Sequence, residues 1–116
     1  MSNPTAMVAE DEAPQRQELV RMLGQLWPEL AIVAECESGA QALEAMRGLT
    51  PNVAFLDIQM PEVSGIDVAR AATGQTNIVF VTAFDQFAVQ AFEDGAIDYL
   101  LKPVRQDRLH KAIDRI

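Results

Sequence analysis

Residues 53–65 read VAFLDIQMPEVSG. Four apolar residues, Val53 to Leu56, run without interruption into Asp57, and the turn formers Pro61, Ser64 and Gly65 follow. A short continuous apolar run bounded by turn signals fits a strand buried on both faces, whereas a strand with one wet face would alternate. Doubly buried strands belong to parallel sheets whose two faces are covered by helices. The segments on either side repeat the pattern.

Toward the N-terminus, Ala6-Met7-Val8-Ala9 predicts a first strand. Leu19, Met22, Leu23 and Leu26 then recur at i, i+3, i+4 and i+7, the stripe of a helix that begins after Pro14 and stops near Pro28. Ala31 to Ala34 predicts a second strand. Ser38-Gly39-Ala40-Gln41 has the form of a capping box and opens a helix carrying Ala42, Leu43 and Met46, with Gly48 as its end.

Beyond the opening stretch, a short helix is expected from Ser64 to Ala72. Ile78 to Val81 forms a fourth strand, and Asp85 is the expected N-cap of a helix bearing Ala88, Ala91 and Phe92. Asp98 to Leu101 makes a fifth strand. Leu109, Ala112, Ile113 and Ile116 repeat the helical stripe, which is unfinished at Ile116 and leads us to expect further chain. Five strands alternating with five helices predict βαβ units and a doubly wound α/β fold around a parallel sheet.

The 116 residues, 49% of them apolar, suffice for one domain with a real core. No charged-then-apolar leader and no apolar run of about 18 residues stands in the sequence, which leads us to expect a cytoplasmic protein with no membrane contact. The net charge of −8 argues against direct nucleic-acid binding by this domain, because phosphate contacts need Lys and Arg on a common face. Five of the nine basic residues, Lys102, Arg105, Arg108, Lys111 and Arg115, nevertheless lie in the last fifteen positions, as on a solvated last helix. The lone Cys36 is read as a small buried thiol and His110 as a surface residue. Phe80, Phe87 and Phe92 are expected in the core and Trp27 at a packed helix end.

In open parallel sheets the ligand site lies outside the carboxyl ends of the strands. Glu10-Asp11-Glu12 ends the first strand, Asp57 the third and Thr82 the fourth, while Lys102-Pro103 follows the fifth. A single acid after a strand is most simply a turn former. With strands one and three adjacent, however, each carboxylate pair would cost roughly 3 kcal/mol at about 5 Å and an effective dielectric near 20, so a compensating cation is required. Mg²⁺ suits an all-oxygen set that leaves positions open for phosphate oxygens, whereas the only Cys and the only His are too far apart to hold Zn²⁺. A carboxylate beside such an ion can attack a phosphoryl group, with Lys102 and Thr82 contacting its oxygens.

The motifs AEDE, FLDIQMPEVSG, VTAF and DYLLKP, in order along nearly the whole chain, resemble the CheY-like receiver domain of two-component response regulators. VTAFDQFAVQAFEDGAIDYLLKPV and LDIQMPEVSGIDVA further resemble the LytR/AlgR subgroup, whose receivers commonly precede a LytTR DNA-binding domain. The resemblance implies a flavodoxin-like (βα)5 fold of strand order 2-1-3-4-5, with residues 1–116 as the receiver and a C-terminal output domain beyond them. It makes Asp57 the phospho-acceptor. It assigns Mg²⁺ to Asp11, Asp57, the backbone carbonyl of Gln59 and Glu10 through water. Thr82 and Lys102 become the phosphoryl-binding pair, Tyr99 the aromatic switch and Lys102-Pro103 a cis peptide. Glu10 departs from the family's usual Asp, and Pro14 stands one place later than the proline that often follows the acidic triplet.

The implied partners are a cognate histidine kinase and a second copy, joined on phosphorylation through the face of the fourth helix and fifth strand. The domain would be a switch with slow self-dephosphorylation rather than an enzyme, because the bulky Phe84 cannot orient water as a polar side chain can. Two alternatives stand beside it. One is a receiver-like module acting without phosphorylation. The other is a Mg²⁺-dependent phosphatase, which commonly carries a general acid two residues after the nucleophile, where this chain has Gln59.

Overall fold

The computed structural model describes residues 3–116. Five strands and five helices alternate: β1 Thr5–Ala9, α1 Ala13–Leu26, β2 Ala31–Cys36, α2 Gly39–Leu49, β3 Val53–Leu56, α3 Gly65–Arg70, β4 Asn77–Thr82, α4 Ala88–Glu93, β5 Asp98–Leu101 and α5 Gln106–Asp114. The strands form one sheet in the order β2-β1-β3-β4-β5, and every pairing is parallel. This is the doubly wound parallel sheet expected from the alternating pattern, in the flavodoxin-like strand order that the receiver resemblance implies.

The period-2 geometry of a strand sorts the apolar runs into two cores. Met7, Ala9, Ala54, Leu56 and Phe80 face one side and pack with Ala42, Met46, Ile66, Val68 and Ala91 from α2, α3 and α4. Ala6, Val8, Val53, Phe55, Val79 and Val81 face the other and pack with Leu19, Met22, Leu23, Leu109 and Ala112 from α1 and α5. β3 is buried at every position, which explains why its sequence shows no alternation. At the amino rim of the sheet, Asn52 ties three elements together. Its Oδ1 accepts from Thr5 N at 2.8 Å, its N–H donates to Thr5 O at 3.0 Å, and its carbonyl accepts from Asn77 N at 2.9 Å.

Several local expectations need correction. α2 continues past Gly48 and ends on Thr50, whose φ of 41° supplies the left-handed cap that glycine was expected to give. Asp85 does not cap α4; Phe87 is the N-cap and contributes no side-chain bond. Phe92 is 48% exposed, on the outer face of α4 and away from the core. Pro14 lies within the first turn of α1, where its missing N–H costs nothing. The capping box of α2 is closed one residue early: Ser38 Oγ accepts from Gln41 N at 3.1 Å, while Gln41 Oε1 accepts from Glu37 N at 2.9 Å.

Candidate phosphoryl and metal site

Register brings the acids together. β1 pairs with β3 up to Ala9 and Leu56, so Glu10 and Asp57 leave the sheet side by side, and Asp57 N donates to Ala9 O at 3.0 Å. On the other flank Thr82 pairs with Leu101, and the next residue, Lys102, donates its N–H to Thr82 O at 2.9 Å. Lys102-Pro103 is a cis peptide.

Carboxylate oxygens of Glu10, Asp11 and Asp57 lie within 4.8 Å of one another. Glu10 and Asp57 are buried and Asp11 is exposed. Lys102 reaches into this cluster: its Nζ donates to Asp57 Oδ2 at 2.6 Å and also to Glu10 Oε1. Glu10 Oε2 in turn accepts from Glu12 N at 3.0 Å. The side chain of Glu10 therefore folds back toward Lys102 and its own loop.

Burial pushes the Glu10 carboxyl above its usual range, against the opposing pull of Lys102 and the Glu12 amide. Burial also pulls at the Lys102 ammonium, but its bonds to Asp57 and Glu10 outweigh that and hold its pKa above the ordinary lysine value. Three carboxylates converge and the one lysine pairs with two of them, Glu10 and Asp57, leaving net negative charge in a partly buried pocket. A hard dication with oxygen ligands fits that donor set, with exposed Asp11 on the open side for its waters. A groove of about 570 Å³ opens there, running from Asp11 and Gln59 to Phe87 and Gln90.

The loop after β3 is built to present its backbone. Asp57 Oδ1 accepts from Gln59 N at 3.3 Å, and Gly65 N donates to Ile58 O at 2.8 Å. Gly65 lies so close to Asp57 that a Cβ there would fall 1.9 Å from Asp57 O. Ser64 caps α3 by accepting from Asp67 N.

Thr82 is fully buried, and its Oγ1 accepts from Phe84 N at 3.4 Å. Tyr99 is turned inward: its ring packs 6.1 Å from that of Phe80, and its hydroxyl donates to the carbonyl of Phe84. Phe84, half-buried, thus takes part through both its N–H and its carbonyl.

Sequence reasoning missed two residues that shape the surroundings. Asp98, read only as the start of a strand, is 1% exposed and holds Arg108 in a two-pronged pair at 2.6 and 2.9 Å, with Arg115 at 3.1 Å. Burial alone would raise its carboxyl, but those arginines and the Tyr99 amide hold it below the usual range. Arg16, read only as part of a helix, is 9% exposed and donates to Glu10 O at 2.8 Å. It lies on the buried face of α1, one turn before Leu19, where a charged side chain gives no apolar signal.

The chain belongs to the response regulator receiver domain family, whose pattern matches residues 6–114. Among curated relatives, it is 47% identical over 115 residues to an uncharacterized response regulatory protein of Vibrio cholerae, covering 97% of this chain and 44% of that protein. It is 43% identical over 108 residues to the transcriptional regulatory protein BtsR of Salmonella typhi, covering 91% of this chain and 45% of that protein. The chain thus spans less than half the length of these relatives. Among solved structures, the response regulatory domain of the mrkE protein from Klebsiella pneumoniae superposes with a TM-score of 0.88 at 30% identity, over 96% of this chain and 93% of that one. The receiver domain of NarL from Mycobacterium tuberculosis gives 0.85 at 31% identity, over 97% and 94%. Members of this family generally act as switches, with Mg²⁺ at an acidic site and histidine kinases as partners. Among the described residues, no helix is long and apolar enough to cross a membrane.

Proposed function

We propose that this domain accepts a phosphoryl group on Asp57 from a histidine kinase and uses it to switch the α4-β5-α5 face. The observation that carries the reading is the convergence of Glu10, Asp11 and Asp57 within 4.8 Å, with Lys102 Nζ 2.6 Å from Asp57. An oxygen of Asp57 attacks phosphorus as the bond from phosphorus to the kinase histidine nitrogen breaks, and the electron pair leaves with that nitrogen. Lys102 stays protonated, as its raised pKa favours, and balances charge on the phosphoryl oxygens. Thr82 donates its hydroxyl to one of them. Asp11, Asp57 and the carbonyl of Gln59 would hold Mg²⁺, with Glu10 acting through water, and the ion would supply charge neutralisation when bound. Incubation with acetyl phosphate and Mg²⁺ should add one phosphate to the protein, and equal labelling of Asp57→Asn would remove the assignment.

The output follows from the far side of β4. Tyr99 and Thr82 both hold the loop at Phe84, so a change at Thr82 alters the start of α4. Val89, Phe92 and Leu101 are exposed on α4 and β5. That apolar face is where a second copy would dock upon phosphorylation; sedimentation with beryllofluoride should show a dimer that Val89→Glu abolishes. The motifs shared with the LytR/AlgR subgroup, together with the transcriptional name of BtsR, favour a cytoplasmic regulator in which a LytTR-type DNA-binding domain follows Ile116. The apolar Phe84 beside the site favours a long-lived phosphate. Phe84→Glu should shorten that lifetime, and an unchanged decay rate would count against this role.

A further inference from the structure

The two loops that carry the acidic site, Glu10–Glu12 and Asp57–Gly65, are both fastened to one corner of the molecule, the turn from β2 into α2. On the first loop, Glu10 N donates to Cys36 O at 3.0 Å. Arg16 donates to Glu10 O at 2.8 Å, while the other arms of its buried guanidinium lie 3.9 Å from Glu35 and 3.5 Å from Glu37. On the second loop, Gly39 N donates to Pro61 O at 3.0 Å. The contact leaves no slack: a Cβ on Gly39 would fall 1.7 Å from Val63 O and 2.5 Å from its carbon. Pro61 O also accepts from Val63 N at 2.9 Å, so a tight turn around Glu62, with φ 75°, presses the Val63 carbonyl onto Gly39.

We propose that the segment Cys36–Gly39 is a brace that sets the separation of the two loops, with Arg16 and Gly39 as positioning residues for divalent-cation binding by Asp11, Asp57 and Gln59. The inference rests on the metal reading given above. Neither residue touches the ion. Arg16 fixes the backbone of Glu10 beside Asp11, and Gly39 fixes the height of the loop that begins at Asp57 and carries Gln59. A shift of a few tenths of an ångström in either loop is felt directly by an ion of Mg²⁺ size, which demands near-ideal octahedral geometry.

The test measures Mg²⁺ binding by isothermal titration calorimetry, without a phosphodonor, on protein shown to be folded by urea denaturation in EDTA. Gly39→Ala should raise the Mg²⁺ Kd by roughly tenfold or more, as losses of outer supports do elsewhere. Gly48→Ala, in the same helix with open space around its Cβ position, should leave the Kd unchanged. Arg16→Met should weaken binding severalfold, with Arg16→Lys recovering part of the loss because it can still reach the carbonyl of Glu10. Folded Gly39→Ala and Arg16→Met proteins that bind Mg²⁺ like the wild type would overturn the brace. Should Gly39→Ala fail to fold, the Arg16 pair decides alone. A wild-type protein that binds no Mg²⁺ would instead overturn the metal reading, and the brace with it.

Discussion

Lys102 Nζ stands 2.6 Å from Asp57 Oδ2, and the same ammonium holds Glu10. One side chain from the end of β5 thus neutralises acids from the ends of β1 and β3, two strand ends whose charges would otherwise repel. Lys102→Met leaves two buried carboxylates without their cation and should destabilise the protein by about 3 kcal/mol in urea titrations in EDTA. Saturating Mg²⁺ should recover much of that loss. A variant as stable as the wild type in EDTA would show that the pair carries no net energy.

Magnesium should also stabilise the wild type. At a free concentration of 100 times Kd, linkage gives about 2.7 kcal/mol, or roughly 10 °C in Tm for a chain of this size. The gain should vanish in Asp11→Ala. It should also fade below about pH 5, because metal ligands must be deprotonated and burial holds Glu10 above its usual range. A calorimetric scan at pH 7.5 and at pH 4.5 checks both points, and an equal shift at the two pH values would contradict the carboxylate site.

Asp98 predicts a second pH dependence. Its folded pKa is depressed, so its contribution to stability is present above the unfolded value near 4 and is lost as pH falls through the folded one. Asp98→Asn should therefore destabilise the protein at pH 7, and the difference from wild type should narrow as pH approaches 3. Measured ΔΔG that stays constant across that range would exclude the linkage.

Two glycines in helices should respond with opposite signs. Gly48→Ala meets open space and should stabilise by about 0.5–1 kcal/mol, through the lower entropy of the unfolded chain. Gly65→Ala would drive its Cβ against the carbonyl of Asp57 and should cost about 3 kcal/mol or more. Thermal melts of the two variants separate the cases.

The sequence carried the sheet well because the strands are doubly buried, and continuous apolar runs such as Val53–Leu56 have few other readings. The strand ends were legible for the same reason: register in a parallel sheet places Glu10 beside Asp57 once β1 and β3 are neighbours. Helix ends were less so. Thr50 adopts a left-handed cap that glycine would take more cheaply, and α4 starts after Phe87, beyond a loop that Thr82 and Tyr99 hold at Phe84. Those are tertiary causes with no local signature. The same holds for Arg16 and Asp98, whose partners lie on other elements and whose burial follows from packing alone.

Thr5, Asn52 and Asn77 stitch β1, β3 and β4 at one rim through bonds of 2.8–3.0 Å, while the opposite rim adds to its own backbone bonds, such as Asp57 N to Ala9 O, a layer of side-chain bonds from Lys102, Thr82 and Tyr99. The two rims are therefore held by different means. A charge added at the acid end meets side chains that can change partners, and the loop at Phe84 that they hold leads on toward α4 and β5. Amide exchange should accordingly run slow at Asn52 and Asn77 and faster at Phe84, with the gradient lying along the strands.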